Sequence, residues 1–168
     1  MKQKDIVLRE LNSMGFEPVE LGDVGYAFKY ESLNFIYMPD EDDEQFLRIA
    51  VPYMFDVTDE NRIAVLEAMQ STSLLLKYAK VCIMQNSSVW AIYEHYMNAT
   101  NDLSDLLENI IRVLEATALV FYKKINGEEI AGRSEEQEDY SNEELEVMLQ
   151  QIIDCVENDE EYNQKEEV

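Results

Sequence analysis

The chain has 168 residues, 46% of them hydrophobic and 10% aromatic, which suits one packed domain with or without an appendage and excludes a disordered chain. Its 36 acidic residues against 13 basic ones give a net charge of −23. Such a surface repels phosphate backbones and anionic lipid, so neither nucleic acid nor a membrane is an expected partner; a basic protein, or one that needs solubilising, is.

The first residues, MKQKDIVLREL, carry Lys2 and Lys4 but lack the ~7–15-residue apolar stretch of a secretory leader. No run approaches the ~18 apolar residues of a membrane span, so the expected location is cytoplasmic. Asp5 to Met14 predicts a short helix, with Val7, Leu11 and Met14 on one stripe. Gly15 stands where a left-handed helix cap is wanted, and Phe16 can fold back on the last turn. Pro18 keeps the chain extended. The stretch from Leu21 to Gly25 is a turn.

Tyr26, Phe28 and Tyr30 alternate with Ala27, Lys29 and Glu31, the period of a strand with one wet face. Glu31-Ser32 predicts a reversal. The run from Leu33 to Met38 is apolar on both faces except at Asn34, and so belongs nearer the sheet centre. A third strand puts Leu47, Ile49 and Val51 on one side, Arg48 and Ala50 on the other. Pro52 cannot donate a ladder hydrogen bond, so it predicts a strand end or a sheet edge.

Thr58-Asp59-Glu60 predicts the start of a helix that runs to about Ala79, with Ile63, Leu66, Met69 and Leu74 to Leu76 as its apolar side. Val81 to Gln85 and Val89 to Met97 predict two strands joined around Asn86-Ser87-Ser88. Asp102 caps the longest apolar-periodic helix, Leu103 to about Lys124, with a stripe of Leu103, Leu106, Leu107, Ile110, Ile111, Leu114 and Phe121. After Asn126-Gly127 the composition shifts, with 16 acids and 2 bases in residues 126–168. Ser141 to Glu144 is a capping-box pattern before Leu145, Met148, Leu149, Ile152, Ile153 and Val156.

The expected fold class is α+β: a five-stranded antiparallel sheet in the order α-β-β-β-α-β-β-α, its helices mainly on one face, plus an acidic C-terminal helix. The expected domains are an α+β domain at 1–125, a linker at 126–140, an amphipathic acidic helix at 141–157 and a disordered tail at 158–168.

Motifs for chemistry are scarce. A calcium loop starting at Asp40 needs Gly at its sixth place and Glu at its twelfth, where Gln45 and Val51 stand, so Asp40 to Glu44 reads as a charged hairpin turn. His95 is the single histidine, which excludes a multi-histidine metal site within one chain. It lies on the Val89, Ala91, Tyr93 and Met97 side of its strand, with no nucleophile indicated beside it. Cys82 and Cys155 lie far apart in apolar settings without basic neighbours, and read as inert, reduced thiols. No glycine-rich phosphate loop and no nucleophile-elbow or zinc-protease motif is present. No catalytic, cofactor or metal residues are therefore expected, and the chain is read as a non-enzyme.

The aromatic residues remain. Tyr26, Tyr30, Tyr37, Tyr53, Trp90, Tyr93 and Tyr96 are the candidate protein-binding residues, on the argument that the covering helices cannot bury every strand tyrosine. The competing reading is core packing and cross-strand pairing.

The segments LNSMGF (Leu11 to Phe16), FKYESLNFIYM and FLRIAVPYMF, and the helix-strand stretch from Asn61 to Met84, together with the element order and acidity, resemble the type III secretion chaperone-like fold. Within it the closer resemblance is to the YbjN-like sensory transduction regulators, over about residues 5–125. The resemblance implies a non-enzymatic chain that holds a partner's unfolded segment against sheet and helix surface, and a homodimer as a further expectation. It supplies no catalytic residues. The acidic extension after Asn126 departs from the pattern. The expected function is therefore a protein-binding module, chaperone-like or regulatory. The alternative is an acidic immunity-type inhibitor that neutralises a basic partner.

Overall fold

The computed structural model describes residues 3–40, 42–97 and 102–127. From residue 128 on, the expected linker, acidic helix and tail, with Cys155, lie outside the described residues.

Helix α1 is Gln3–Ser13, and it buries Val7 and Leu11. It stops as the sequence dictates. Gly15 takes φ 91°, its N–H donates to the Asn12 carbonyl at 3.0 Å, and the Phe16 N–H donates to the Leu11 carbonyl at 3.0 Å. This paired termination returns Phe16 onto the helix's apolar side, where its ring meets Phe28 at 5.1 Å.

The sheet has six antiparallel strands, not five. They are β1 (Val19–Glu20), β2 (Tyr26–Tyr30), β3 (Leu33–Tyr37), β4 (Phe46–Asp56), β5 (Ala79–Ile83) and β6 (Ser88–Tyr96), in the spatial order β1-β2-β3-β4-β6-β5. The additional strand is the extended segment after Pro18, which pairs Val19 with Ala27 and Glu20 with Tyr26. Two residues are too few to display an alternation. The short 3-10 turn Gly22–Val24 reverses the chain between β1 and β2. Gly25 closes that turn at φ 135°, where a Cβ would lie 2.1 Å from the Tyr37 carbonyl oxygen, so only glycine fits.

Pro52 departs from its expected place. It lies inside β4, which runs between β3 and β6 in the middle of the sheet. The register explains how. Val51 faces Ala91 and Phe55 faces Val89, so four steps along β4 match two along β6. The extra residues form a bulge at Pro52 and Tyr53. A bulge leaves backbone groups out of the ladder, which removes the penalty for the missing N–H.

Helix α2 is Arg62–Leu75, shorter at both ends than expected. Thr58 and Asn61 cap each other one turn early. The Thr58 N–H donates to Asn61 Oδ1 at 2.8 Å, and the Asn61 N–H to Thr58 Oγ1 at 3.3 Å. Its inward face is also different. Val65, Ala68 and Thr72 are buried; of the expected apolar side, Met69 packs half-buried against the main core and Leu75 and Leu76 are half-buried, whereas Ile63, Leu66 and Leu74 face solvent. Helix α3 is Leu103–Ile125. Asp102 caps it, and it buries Leu107, Ile110, Ile111, Leu114, Thr117, Ala118 and Phe121.

The three helices lie on one face of the sheet. Residues from all of them join Phe28, Phe35, Tyr37, Leu47, Ile49, Val51, Val89, Ala91 and Tyr93 in the main core. α3 packs on the central strands, α2 beside it over β5, and α1 on α3's other flank. Among the described residues no helix is long and apolar enough to cross a membrane.

Candidate functional site

Alternation along each strand gives the sheet a second face, and no described helix contributes to it. Register places Ile36 of β3 opposite Ala50 of β4, and Ala50 opposite Ile92 of β6, while Trp90 lies opposite Cys82 of β5. Ile36, Ala50, Trp90 and Ile92 form a second apolar cluster, separate from the main core, with Met38, Cys82 and Met84 packed against it. Trp90 is only 6% exposed, and its indole N–H donates to Ser88 Oγ at 2.9 Å. Ser88 Oγ donates in turn to Asn86 Oδ1 at 2.6 Å, which ties this ring to the β5–β6 reversal.

The bulge supplies the most exposed aromatic of this face. Tyr53 is 63% exposed, with its ring 5.3 Å from that of Trp90. Its φ is 51°, a left-handed conformation that a bulky side chain adopts at a cost of about 1–3 kcal/mol. At the other end of β4, Phe46 stands opposite Tyr96. Tyr96 is exposed, and its hydroxyl shares a 2.6 Å hydrogen bond with Gln45 Oε1. Between these ends lies a charged group. Arg48 Nε donates to Glu94 at 2.9 Å, and Lys80 pairs with the other oxygen of the same carboxylate. Burial alone would raise the Glu94 carboxyl, but the bonds from Lys80 and Arg48 outweigh it and hold the group below its usual range.

The seven candidate aromatics thus divide between the two faces. Tyr26, Tyr30, Tyr37 and Tyr93 belong to the helix side, where Tyr37 and Tyr93 are buried and Tyr26 and Tyr30 are half-buried. Burial pushes the Tyr37 hydroxyl far above its ordinary value, and raises Tyr93 as well, with Tyr78 adding to the latter. Trp90, Tyr53 and Tyr96 lie on the other face, and of these only Tyr53 and Tyr96 are exposed. Sequence reasoning left out Tyr78, exposed just before β5 with its ring 6.2 Å from Tyr93. Phe46 was also left out, although its alternation with Arg48 and Ala50 places it on the second face.

Little here is arranged for catalysis. His95 Nε2 is buried without a hydrogen-bond partner, on the helix side opposite Leu47. Burial raises the Cys82 thiol, with Lys80 pulling the other way, which keeps it protonated and a weak nucleophile. Asp40 Oδ1 accepts from the N–H groups of Asp42 and Asp43 at 3.0 and 3.2 Å, so it serves its own turn. Among the described residues no group of three or more His, Cys, Asp or Glu side chains is placed to hold a metal. A groove of about 420 Å³ at the β1 edge is lined by Phe16, Val19, Ala27, Lys29 and Asn34 among others. A second, of about 330 Å³, contains Ser104 and Glu108, but Glu108 is engaged by Arg112 at 2.5 Å.

Neither the known protein families nor the curated proteins include a match to this chain. Solved structures do match. YbjN from E. coli, described as a proposed transcription regulator, superposes with a TM-score of 0.57 at 8% identity, over 73% of this chain and 91% of that one. An uncharacterised protein from Methanothermobacter thermautotrophicus gives 0.51 at 14% identity, over 74% and 98%. The HopA1–SchA chaperone–effector complex gives 0.50 at 12% identity, over 71% and 92%. The helices on one side, the antiparallel sheet and these superpositions agree: the chain has the YbjN-like, type III secretion chaperone-like fold.

Proposed function

We propose that this chain is a non-enzymatic protein-binding module, chaperone-like or regulatory, that holds a segment of another protein on the second face of its sheet. The observation that carries the reading is the exposed Tyr53, whose ring lies against Trp90; beneath it Ile36, Ala50, Trp90 and Ile92 form a buried apolar cluster to which no described helix contributes. An aromatic ring held outward in a strained conformation is the kind of feature that concentrates at binding sites. Half-buried Met38 and Met84 add deformable apolar surface, suited to segments of varied sequence. One of the matched folds belongs to a chaperone–effector complex, which supports a protein partner. The charge of −23 favours a basic or partly unfolded chain, drawn in electrostatically and kept soluble once held.

The test uses reduced, alkylated lysozyme, a basic chain unable to refold. The full-length protein is expected to bind it and suppress its aggregation, and Tyr53→Ser and Phe46→Ser should each weaken capture with folding intact. Capture that survives both substitutions unchanged overturns the choice of face. Salt separates the modes: binding abolished at high ionic strength points to the acidic-inhibitor alternative, whereas binding that persists points to apolar contact.

A further inference from the structure

The groove of about 420 Å³ lies at the β1 edge of the sheet, on β1 and β2, whereas Tyr53 stands on β4. Strand register sorts its lining by chemistry. Val19 pairs with Ala27, and Ala27 points away from the helices because its neighbour Phe28 is in the main core. Pro18 offers no N–H to a ladder, and pairing stops at Val19. The same register carried two residues further sets Glu17 toward Lys29, across the groove. On its other side Lys29 pairs with Asn34 of β3. The sheet edge thus carries an apolar row, Val19 and Ala27, beside a polar row, Glu17, Lys29 and Asn34. The two rows lie about 7 Å apart along the strands. Phe16, half-buried where α1 ends, adds a further apolar wall.

The polar row is exposed, and among the described residues neither Lys29 nor Glu17 is in an ion pair. An ammonium and a carboxylate that face each other across a groove without meeting can both be satisfied by one small group set between them. The volume is at the lower end of the roughly 300–1,000 Å³ of small-molecule sites. Net charge narrows the choice. A simple anion is repelled by a chain of −23, and a simple cation meets Lys29. A zwitterion carries no net charge and offers each side its opposite.

We propose that this groove binds a free α-amino acid with an apolar side chain. Its carboxylate accepts from the Lys29 ammonium and the Asn34 amide, its ammonium donates to Glu17, and its side chain lies over Val19, Ala27 and Phe16. The spacing of the two rows suits a side chain the length of leucine.

The test is a titration of the isotope-labelled full-length protein with L-leucine into the millimolar range, followed by amide chemical shifts. Saturable shifts are expected at Val19, Ala27 and Lys29. Glycine, which lacks the apolar part, should bind at least about tenfold more weakly. N-acetyl-L-leucine and L-leucinamide each remove one charge of the head group, and should weaken by a similar factor. Lys29→Ala and Glu17→Gln, both at exposed sites, should do the same to leucine while the rest of the spectrum stays as in the wild type. Leucine that produces no saturable shift, or shifts elsewhere only, overturns the proposal. So does N-acetyl-L-leucine or L-leucinamide binding as tightly as leucine, since the site would then read a single charge. Variants at Lys29 and Glu17 that bind leucine as the wild type does overturn it as well.

Discussion

Tyr53 joins the fold to the proposed function, and two substitutions at this one position separate backbone from side chain. Tyr53→Ala and Tyr53→Gly both remove the ring. About a third of the residue is buried, so the ring's contribution is roughly 60–80 Å² at about 25 cal/mol per Å², or about 1.5–2 kcal/mol, plus its contact with Trp90. That loss is common to both variants and cancels in their difference. What remains is the backbone at φ 51°. A left-handed alanine costs about 1–2 kcal/mol, whereas glycine costs only its greater freedom in the unfolded chain, about 0.5–1 kcal/mol. Tyr53→Gly is therefore expected to be more stable than Tyr53→Ala by about 0.5–1 kcal/mol, the reverse of the ordinary ranking in regular structure. For a domain of this size that is about 2–5 °C in melting temperature. Paired urea titrations would measure it, with equal slopes required for the comparison. An alanine variant as stable as the glycine variant would refute the left-handed bulge, and with it the reason Tyr53 stands out from the sheet. Both variants should lose capture of alkylated lysozyme to the same degree, since only the ring is at stake there.

Phe121→Ala should destabilise by about 3–5 kcal/mol, because the ring is fully buried against Phe55 and Tyr122 at the centre of the main core; chemical denaturation would measure it. Gly25→Ala should cost several kcal/mol or detach β1, since its Cβ would overlap the Tyr37 carbonyl; loss of amide protection at Val19 and Glu20 is the readout. Glu94 gives a pH signature. Its carboxyl titrates lower in the folded protein than an ordinary glutamate of the unfolded chain, at about 4.3, so its ion pairs stabilise the fold above that pH and the contribution fades as the pH falls below it. The stability difference between wild type and Glu94→Gln should be constant at neutral pH and shrink toward zero in acid; a difference that grows in acid would refute the pairing with Arg48 and Lys80.

The sequence by itself determined the elements whose signals are local. Period-2 alternation gave the strands around Phe28, Phe35 and Ile49, and a 3.6-residue stripe gave α3 with its buried Leu107, Ile110 and Leu114. The Gly15 cap and the Glu31-Ser32 reversal were legible because glycine and hairpin geometry act within a few residues. What only the tertiary structure decided depends on which neighbour lies across a gap. Val19 and Glu20 become a strand only because Tyr26 and Ala27 pass beside them. Pro52 lies mid-sheet because the bulge excuses its missing N–H, and no local pattern announces a bulge. α2 carries two apolar faces, and Val65, Ala68 and Thr72 turned inward because small side chains let it sit close to α3 and β5, leaving the larger Ile63, Leu66 and Leu74 outside. The aromatic set was visible as a set. Its division, with Tyr37 and Tyr93 under the helices and Tyr53 and Tyr96 in the open, follows from strand register, where one residue's step exchanges the two faces of the sheet.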